Sequence, residues 1–227
     1  MMTYGLYMIS LLIGALKSML NTTNSLGLNE AFGNEVSPMP LFETWFAEAK
    51  ETEINDPNAF ALATVDVSGQ PSVRMLLLKG INEKGFIFYT NMNSRKANDL
   101  QSNQKASICF HWKSLQRQIR IYGSVAQVSE VEADAYFETR DYDSQIGAWA
   151  SLQSSPMKQR SNFDERILSF KAKYPEGSTV PRPPHWSGWV LLPNELEFWL
   201  SAPARLHERL IYKFGDNGNW VKSLLYP

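Results

Sequence analysis

The chain has 227 residues, with 22 Lys+Arg against 23 Asp+Glu and a formal net charge of −1, so no broad basic surface for nucleic acid or an anionic membrane is expected. Hydrophobic residues make up 44% and charged residues 20%, enough to bury a core as one domain plus a short extension. The single Cys109 excludes an internal disulfide and a thiolate cluster and fits a reducing compartment; His111, His185 and His207 lack metal-ligand spacing, so no metal is expected.

The first 15 residues, MMTYGLYMISLLIGA, carry no charge, and Lys17 is the first ion. The run is shorter than the roughly 20 apolar residues of a membrane-spanning helix. It also lacks the basic segment that opens a signal peptide. It reads as a short docking helix or an extension from a misplaced start, with export or tethering as the lesser alternative; a cytoplasmic location is expected. Residues 21–40 are rich in Asn, Ser, Gly and Pro and read as a linker. The domain boundary is therefore set with an extension over 1–36 and one domain over 37–227.

Apolar residues at 41, 42, 45, 46 and 49 predict a helix. Strand-like runs follow at 60–67, 72–79, 86–90, 106–112 and 118–128. Ser68-Gly69-Gln70-Pro71 and Asn82-Glu83-Lys84-Gly85 are turns between them. In the last run Ile119, Ile121, Gly123 and Val125 alternate with Arg120, Tyr122, Ser124 and Ala126, the period of a half-buried strand. Short connections predict a mainly β, α+β chain whose antiparallel sheet closes into a barrel. Ser129-x-x-Glu132 and Ser161-x-x-Asp164 look like capping-box helix starts. After the second, Phe163, Ile167, Phe170 and Tyr174 share a face. Three further strands are expected at 188–192, 196–200 and 210–214, with Gly215-Asp-Asn-Gly as a hairpin turn.

Five constellations carry chemistry. Arg74 and Lys79 bracket four apolar residues and point to opposite faces of a strand unless a bulge intervenes. Ser94-Arg95-Lys96 puts two cations at a helix start, where the dipole is already positive. The pair is unfavourable unless an anion lies there or solvent screens it; Ser94 either caps the helix or donates to the same anion. Gln118 opens a strand and offers an amide to a heteroaromatic edge, or to solvent. Tyr136 and Arg140 share a helix face, with Ser144 beginning the next helical piece. Phenol, guanidinium and hydroxyl make a phosphate clamp, or a core tyrosine beside a surface arginine. Arg205, His207 and Arg209 alternate, so an extended chain would place all three on one face, where they repel unless something anionic or π-rich is present.

The ordered pieces RMLLLK, FYTNMNSRKA, RQIR, DSQIGAW, QSS, EFW and RLHER resemble the pyridoxine (pyridoxamine) 5′-phosphate oxidase family from about residue 41 to residue 227. The resemblance implies a homodimeric, FMN-binding split barrel with FMN at the interface. Arg74, Lys96, Gln153 and Ser154 would hold the flavin phosphate, with Arg95 beside them. Met75, Leu76, Leu77, Leu78, Lys79, Tyr89 and Thr90 would line the cofactor, and Gln118, Trp199 and Arg209 would border its ring. Lys79, Tyr136, Arg140 and Ser144 would grip the substrate phosphate. Arg205, Leu206 and His207 would cover the pyridine ring, with Arg205 and His207 as the catalytic candidates. The implied reaction moves hydride from C4′ of pyridoxine or pyridoxamine 5′-phosphate to flavin N5 and reoxidises the flavin with O2, giving pyridoxal 5′-phosphate and H2O2. Nucleic acid and membrane are not expected as partners. The chain departs from the family pattern at 21–24, where Asn-Thr-Thr-Asn stands for Arg-x-x-Tyr, and at Tyr142, Ser187, Leu200 and Leu224. Two alternatives stand beside this reading: an FMN oxidase of another aromatic, of the phenazine type, and a non-catalytic FMN- or pyridoxal-phosphate-binding protein.

Overall fold

The computed structural model describes residues 36–227. The apolar run of 1–15, the stretch 21–24 and the linker up to residue 35 lie outside the described residues. The elements run α1 (Met39–Thr52), β1 (Ala59–Val65), β2 (Pro71–Leu77), β3 (Gly80–Asn82), β4 (Gly85–Asn91), α2 (Arg95–Ser102), β5 (Lys105–Trp112), β6 (Arg117–Gln127), α3 (Glu130–Glu138), α4 (Tyr142–Ala150), α5 (Ser161–Lys173), β7 (Trp186–Leu200), β8 (Glu208–Phe214) and β9 (Trp220–Leu224).

The expected antiparallel sheet is present, in the order β2-β1-β5-β6-β7-β4-β3, with β8 and β9 added beyond β7. Its two ends are joined by consecutive residues. The Leu78 N–H donates to the Asn58 carbonyl beside β1, and the Lys79 N–H donates to the Ile87 carbonyl of β4. The chain thus leaves one edge of the sheet and joins the other within a single step, which closes the barrel. Inward residues fill it: Phe60, Leu62, Phe88, Ile108, Phe110, Ile119, Ile121 and Phe198 are essentially inaccessible. Helix α1 buries Phe42, Trp45 and Ala49 on that core, at the spacing of one helical face. The Phe42 ring meets Phe86 edge-on at 4.9 Å, and Trp45 meets Phe198 at 5.3 Å.

Strand β7 differs from expectation, because 188–192 and 196–200 are parts of one 15-residue strand. Pro193 does not break it, because it falls where the strand changes neighbours. Residues 186–191 pair with β4, residues 195–200 pair with β8, and β6 runs along the other edge. A proline lacks the N–H a ladder needs, and this is a point where none is used on the changing edge. The β6 register shifts between Tyr122 and Gly123, opposite that proline. A Cβ at Gly123 would lie 2.1 Å from the Leu192 carbonyl oxygen, so only glycine fits there.

Helices α3, α4 and α5 form a second core outside the barrel, built on Phe137, Ile146, Val180 and Trp186. Ser129 and Glu132 make the expected capping box on α3. Ser161 does not cap α5: Arg160 occupies the cap position in helical geometry, and Asp164 pairs with Arg160 at 3.3 Å instead of closing a capping box. Among the described residues no helix is long and apolar enough to cross a membrane, and no cluster of His, Cys, Asp and Glu is suited to a metal.

Candidate functional site

Strand β4 ends at Asn91, and a short turn leads into α2 with Ser94 at its cap position. The serine hydroxyl makes no capping bond. It accepts from Lys96 Nζ at 3.2 Å, so the lysine has displaced the cap. Lys96 Nζ also donates to Thr90 Oγ1 at 3.0 Å and to Gln153 Oε1 at 2.8 Å. The residue is 8% exposed, and these partners are all neutral. Burial first, and the neighbouring Arg74 second, push its ammonium down to about 8. The Arg95 N–H donates to Ser154 Oγ at 3.2 Å, and Ser154 holds a left-handed φ of 73°. That conformation costs a non-glycine residue about 1 kcal/mol or more and is typical of sites under functional constraint.

Arg74 is fixed on the inward side of β2. Its Nη1 donates to Thr64 Oγ1 at 2.7 Å and its Nη2 to Ser72 Oγ at 2.8 Å. The Thr64 hydroxyl donates in turn to Asp99 of α2 at 2.6 Å, and Asp99 lies 3.7 Å from the guanidinium. Burial lowers the Arg74 pKa, Asp99 opposes that shift and Arg95 adds to it. Arg74, Lys96 and Arg95 therefore converge on the α2 N-terminus, with one buried carboxylate behind them.

Beside this cluster lies a cleft of about 380 Å3, lined by Leu76, Tyr89, Thr90, Arg140, Ser144 and Gln153, together with Asn91, Ser151, Phe163 and Trp186. Tyr89 stacks on Tyr136 with centroids 4.0 Å apart and on Trp186 at 5.1 Å, all within 5° of parallel. Gly188 makes room for this, since a Cβ there would meet the Tyr89 ring at 2.7 Å. The Arg140 guanidinium lies 4.9 Å from the Trp186 ring centroid and donates to the Ser144 carbonyl at 3.1 Å. Its Nε is buried with no hydrogen-bond partner among the described residues. Burial lowers its pKa, against Tyr136 and Asp141. A half-buried guanidinium lining a cleft, with no carboxylate hydrogen-bonded to it, is chemically suited to an anion. Asp141 caps α4 through the Ser144 N–H at 2.8 Å and so fixes where Ser144 sits.

A second group lies elsewhere. Gln118, Trp199 and Arg209 stand opposite one another across β6, β7 and β8, in one outward row. The His207 ring is 4.5 Å from that of Trp199, and its Nδ1 accepts from the Ala202 N–H at 3.3 Å. The expected single face of Arg205, His207 and Arg209 does not form. Pro203–Arg205 is a 3-10 turn, with Ala204 and Arg205 both left-handed at φ 56° and 63°. Alternation requires extended backbone, and it begins only at Glu208. Leu206 is exposed beside the turn.

The two groups sit at opposite ends of β7. Trp186 and Trp199 are 13 residues apart on that strand, up to roughly 40 Å at strand rise. None of Gln118, Trp199, Arg209 and the 205–207 turn lines the cleft beside Lys96. Lys79 is apart from the cleft as well: it lines a groove with Glu43, Phe46 and Lys50 of α1. Met75 is exposed on the outward side of β2, Leu77 lies half-buried beside it, and Leu78 is buried in the barrel. Sequence reasoning missed Trp186, Thr64, Asp99 and Glu197. The contact of Trp186 with Arg140 depends on the 4.9 Å approach of a distant helix end.

Comparison with known proteins gives a consistent result. Residues 46–174 match the family model described as pyridoxamine 5′-phosphate oxidase. Residues 186–227 match the one described as the pyridoxine 5′-phosphate oxidase C-terminal dimerisation region. A pyridoxine/pyridoxamine 5′-phosphate oxidase of Pelagibacter ubique is 55% identical, over 92% of this chain and 100% of that protein. One from Rhodospirillum rubrum is 53% identical over 84% and 96%. The crystal structure of PhzG from Burkholderia lata, in complex with tetrahydrophenazine-1-carboxylic acid, superposes with a TM-score of 0.80 at 32% identity, over 86% of this chain and 95% of that one.

Proposed function

The chain belongs to the pyridoxamine 5′-phosphate oxidase family, and from that premise we propose that it oxidises pyridoxine 5′-phosphate and pyridoxamine 5′-phosphate to pyridoxal 5′-phosphate, with FMN as its flavin and O2 as the final acceptor. The observation that carries the reading is the buried Lys96 ammonium, surrounded by neutral acceptors and adjoining a cleft lined by a second, half-buried cation, Arg140. Two anion-seeking positions beside a wall of parallel aromatic rings fit a phosphorylated flavin and a phosphorylated substrate lying together.

The donor set fits FMN. Arg74, Lys96, the α2 N-terminus and Ser154 hold its phosphate, with Gln153 fixing the Lys96 ammonium. Leu76, Tyr89 and Thr90 would line it. When bound, the flavin supplies the two-electron acceptor that takes hydride from the substrate carbon and is reoxidised by O2. For the alcohol the balance is substrate plus O2 giving aldehyde plus H2O2. For the amine, one water enters and ammonia leaves. Arg140, Tyr136 and Ser144 would grip the substrate phosphate; Lys79, expected with them from the resemblance, lines a separate groove in the single chain. Arg205, Leu206 and His207 cover the ring, which fixes the reacting carbon without a strong protein base.

Two copies of the chain complete each site. The Trp199 set does not line the cleft beside Lys96 and lies toward the other end of β7. A second copy brings its Gln118, Trp199, Arg209 and the 205–207 turn to the first copy's cleft. The dimerisation region at 186–227 supports this, as do the outward Val73 and Met75, 65% and 63% exposed on β2. The test is oxygen-dependent formation of pyridoxal 5′-phosphate from each substrate by the purified, FMN-loaded protein. Product from both is expected; bound flavin with no turnover of either would overturn the reading.

A further inference from the structure

Glu197 points outward from β7 yet is 3% exposed. Each carboxylate oxygen is taken by a different guanidinium. Oε1 accepts from Nε of Arg209 at 2.8 Å, and Oε2 accepts from Nη2 of Arg120. Arg120 stands directly opposite on β6, and Arg209 lies on the diagonal in β8. A buried carboxylate is costly unless paired, and this one is paired twice. Arg209 is held at a second point by the end of the chain: its Nη1 donates to the Tyr226 carbonyl at 2.9 Å, and the Leu225 N–H returns to the Arg209 carbonyl at 3.0 Å. Of its five N–H groups, those of Nη2 donate to none of the described residues. The Nε of Arg120 is buried without a partner among them.

We infer that Glu197 is a positioning residue that holds the Arg209 guanidinium against the flavin edge and cancels one of the two positive charges Arg209 and Arg120 bring there. This rests on the placement of Arg209 beside the flavin proposed above. With the carboxylate present the cluster carries a formal charge of +1; without it, +2. A flavin gains negative charge on reduction, so positive charge at its edge favours the reduced form. Glu197 therefore sets how strongly the protein favours reduced over oxidised flavin. An arginine row without it would hold reduced flavin too firmly for easy reoxidation.

The experiment measures the reduction potential of the bound flavin in FMN-loaded wild type, Glu197→Gln, Glu197→Asp and Arg120→Met. In Glu197→Gln the preference for reduced flavin rises roughly tenfold for one uncompensated charge nearby, a positive shift of about 30 mV for a two-electron couple. Glu197→Asp keeps the charge and stays near wild type, and Arg120→Met shifts the potential negative. A role confined to folding would lower the melting temperature of all three and leave the potential alone. An unmoved potential in loaded Glu197→Gln, or shifts of the same sign in Glu197→Gln and Arg120→Met, overturns the inference. If Glu197→Gln does not fold, Arg120→Met decides: a negative shift supports the inference and an unmoved one defeats it. A wild-type protein that takes up no flavin defeats the proposed function and this inference with it. One that binds flavin but shows these unmoved potentials defeats the inference alone.

Discussion

Lys96 Nζ donates to Gln153 Oε1 across 2.8 Å, tying the first turn of α2 to the loop that follows α4. Two segments 57 residues apart in sequence are joined by an ammonium and an amide, with no carboxylate against the ammonium. On the proposed function this pair receives an anion; without one, the ammonium is buried among neutral acceptors.

Replacing Lys96 by Met separates these two consequences. A hydrogen bond to a charged group contributes about 1.5–3 kcal/mol, so FMN affinity should fall roughly 10- to 150-fold in a fluorescence titration of the flavin-free protein. The same variant removes a buried charge, so the flavin-free protein should be no less stable to urea than wild type. Unchanged FMN affinity would remove Lys96 from the site.

The pH dependence follows from the same residue. Its folded pKa, about 8, lies below the ordinary 10.5 because of burial and Arg74. Below pH 8 the lysine is protonated in both states, and the cost of burying its charge is fully present. Between about 8 and 10.5 the unfolded chain binds more protons, so this group raises the stability of the flavin-free protein as pH increases. With FMN held by the protonated lysine, as proposed, its affinity should fall over the same range. Urea melts and FMN titrations at pH 7 and pH 10 check both signs, with Lys96→Met as the control that should lose both trends.

Arg205→Ala should raise the Michaelis constant for pyridoxine 5′-phosphate about tenfold or more while leaving FMN bound, as judged by the flavin spectrum after gel filtration. Arg140→Ala should act in the same direction through the substrate phosphate. Loss of flavin from Arg205→Ala would contradict its place over the substrate ring.

Phe42→Ala tests the core rather than the site. The side chain is fully buried between Phe86 and Phe110, and such truncations cost about 3–5 kcal/mol. For a chain of this size the melting temperature should drop by about 10 °C. A change within 2 °C, on the order of 1 kcal/mol or less, would mean α1 contributes little to the barrel.

Much of the fold was legible because alternation is a local signal. Ile119, Ile121 and Val125 do face the core, and the 60–128 run does build the barrel. Features decided by a distant partner were not legible. Ser94 has the sequence of a cap, but the buried lysine two residues on needs its hydroxyl more than the helix does. Arg205 looked like part of an alternating row until Pro203 and two left-handed residues turned the chain. Pro193 read as a strand break because its neighbours on three other strands are invisible locally. The site residues came from the ordered motifs. Of their supports, Thr64, Asp99 and Trp186 lie outside those motifs, and Glu197, though it opens EFW, showed no role there, since a carboxylate on an outward strand face normally meets water.

Strand β7 has a further consequence. One end carries Trp186 in the cleft and the other carries Trp199 in the outward row, so in a two-copy assembly this strand is a measuring rod between the two flavins. Because β6 pairs with both halves, lengthening the rod by about 7 Å takes two residues inserted in β6 as well as two beside Pro193, an even number that keeps every side chain on its own face. Each half would still fold correctly, and neither flavin would find its second wall. The length of β7 is thereby a functional dimension, as much a part of the reaction as any side chain that meets the substrate.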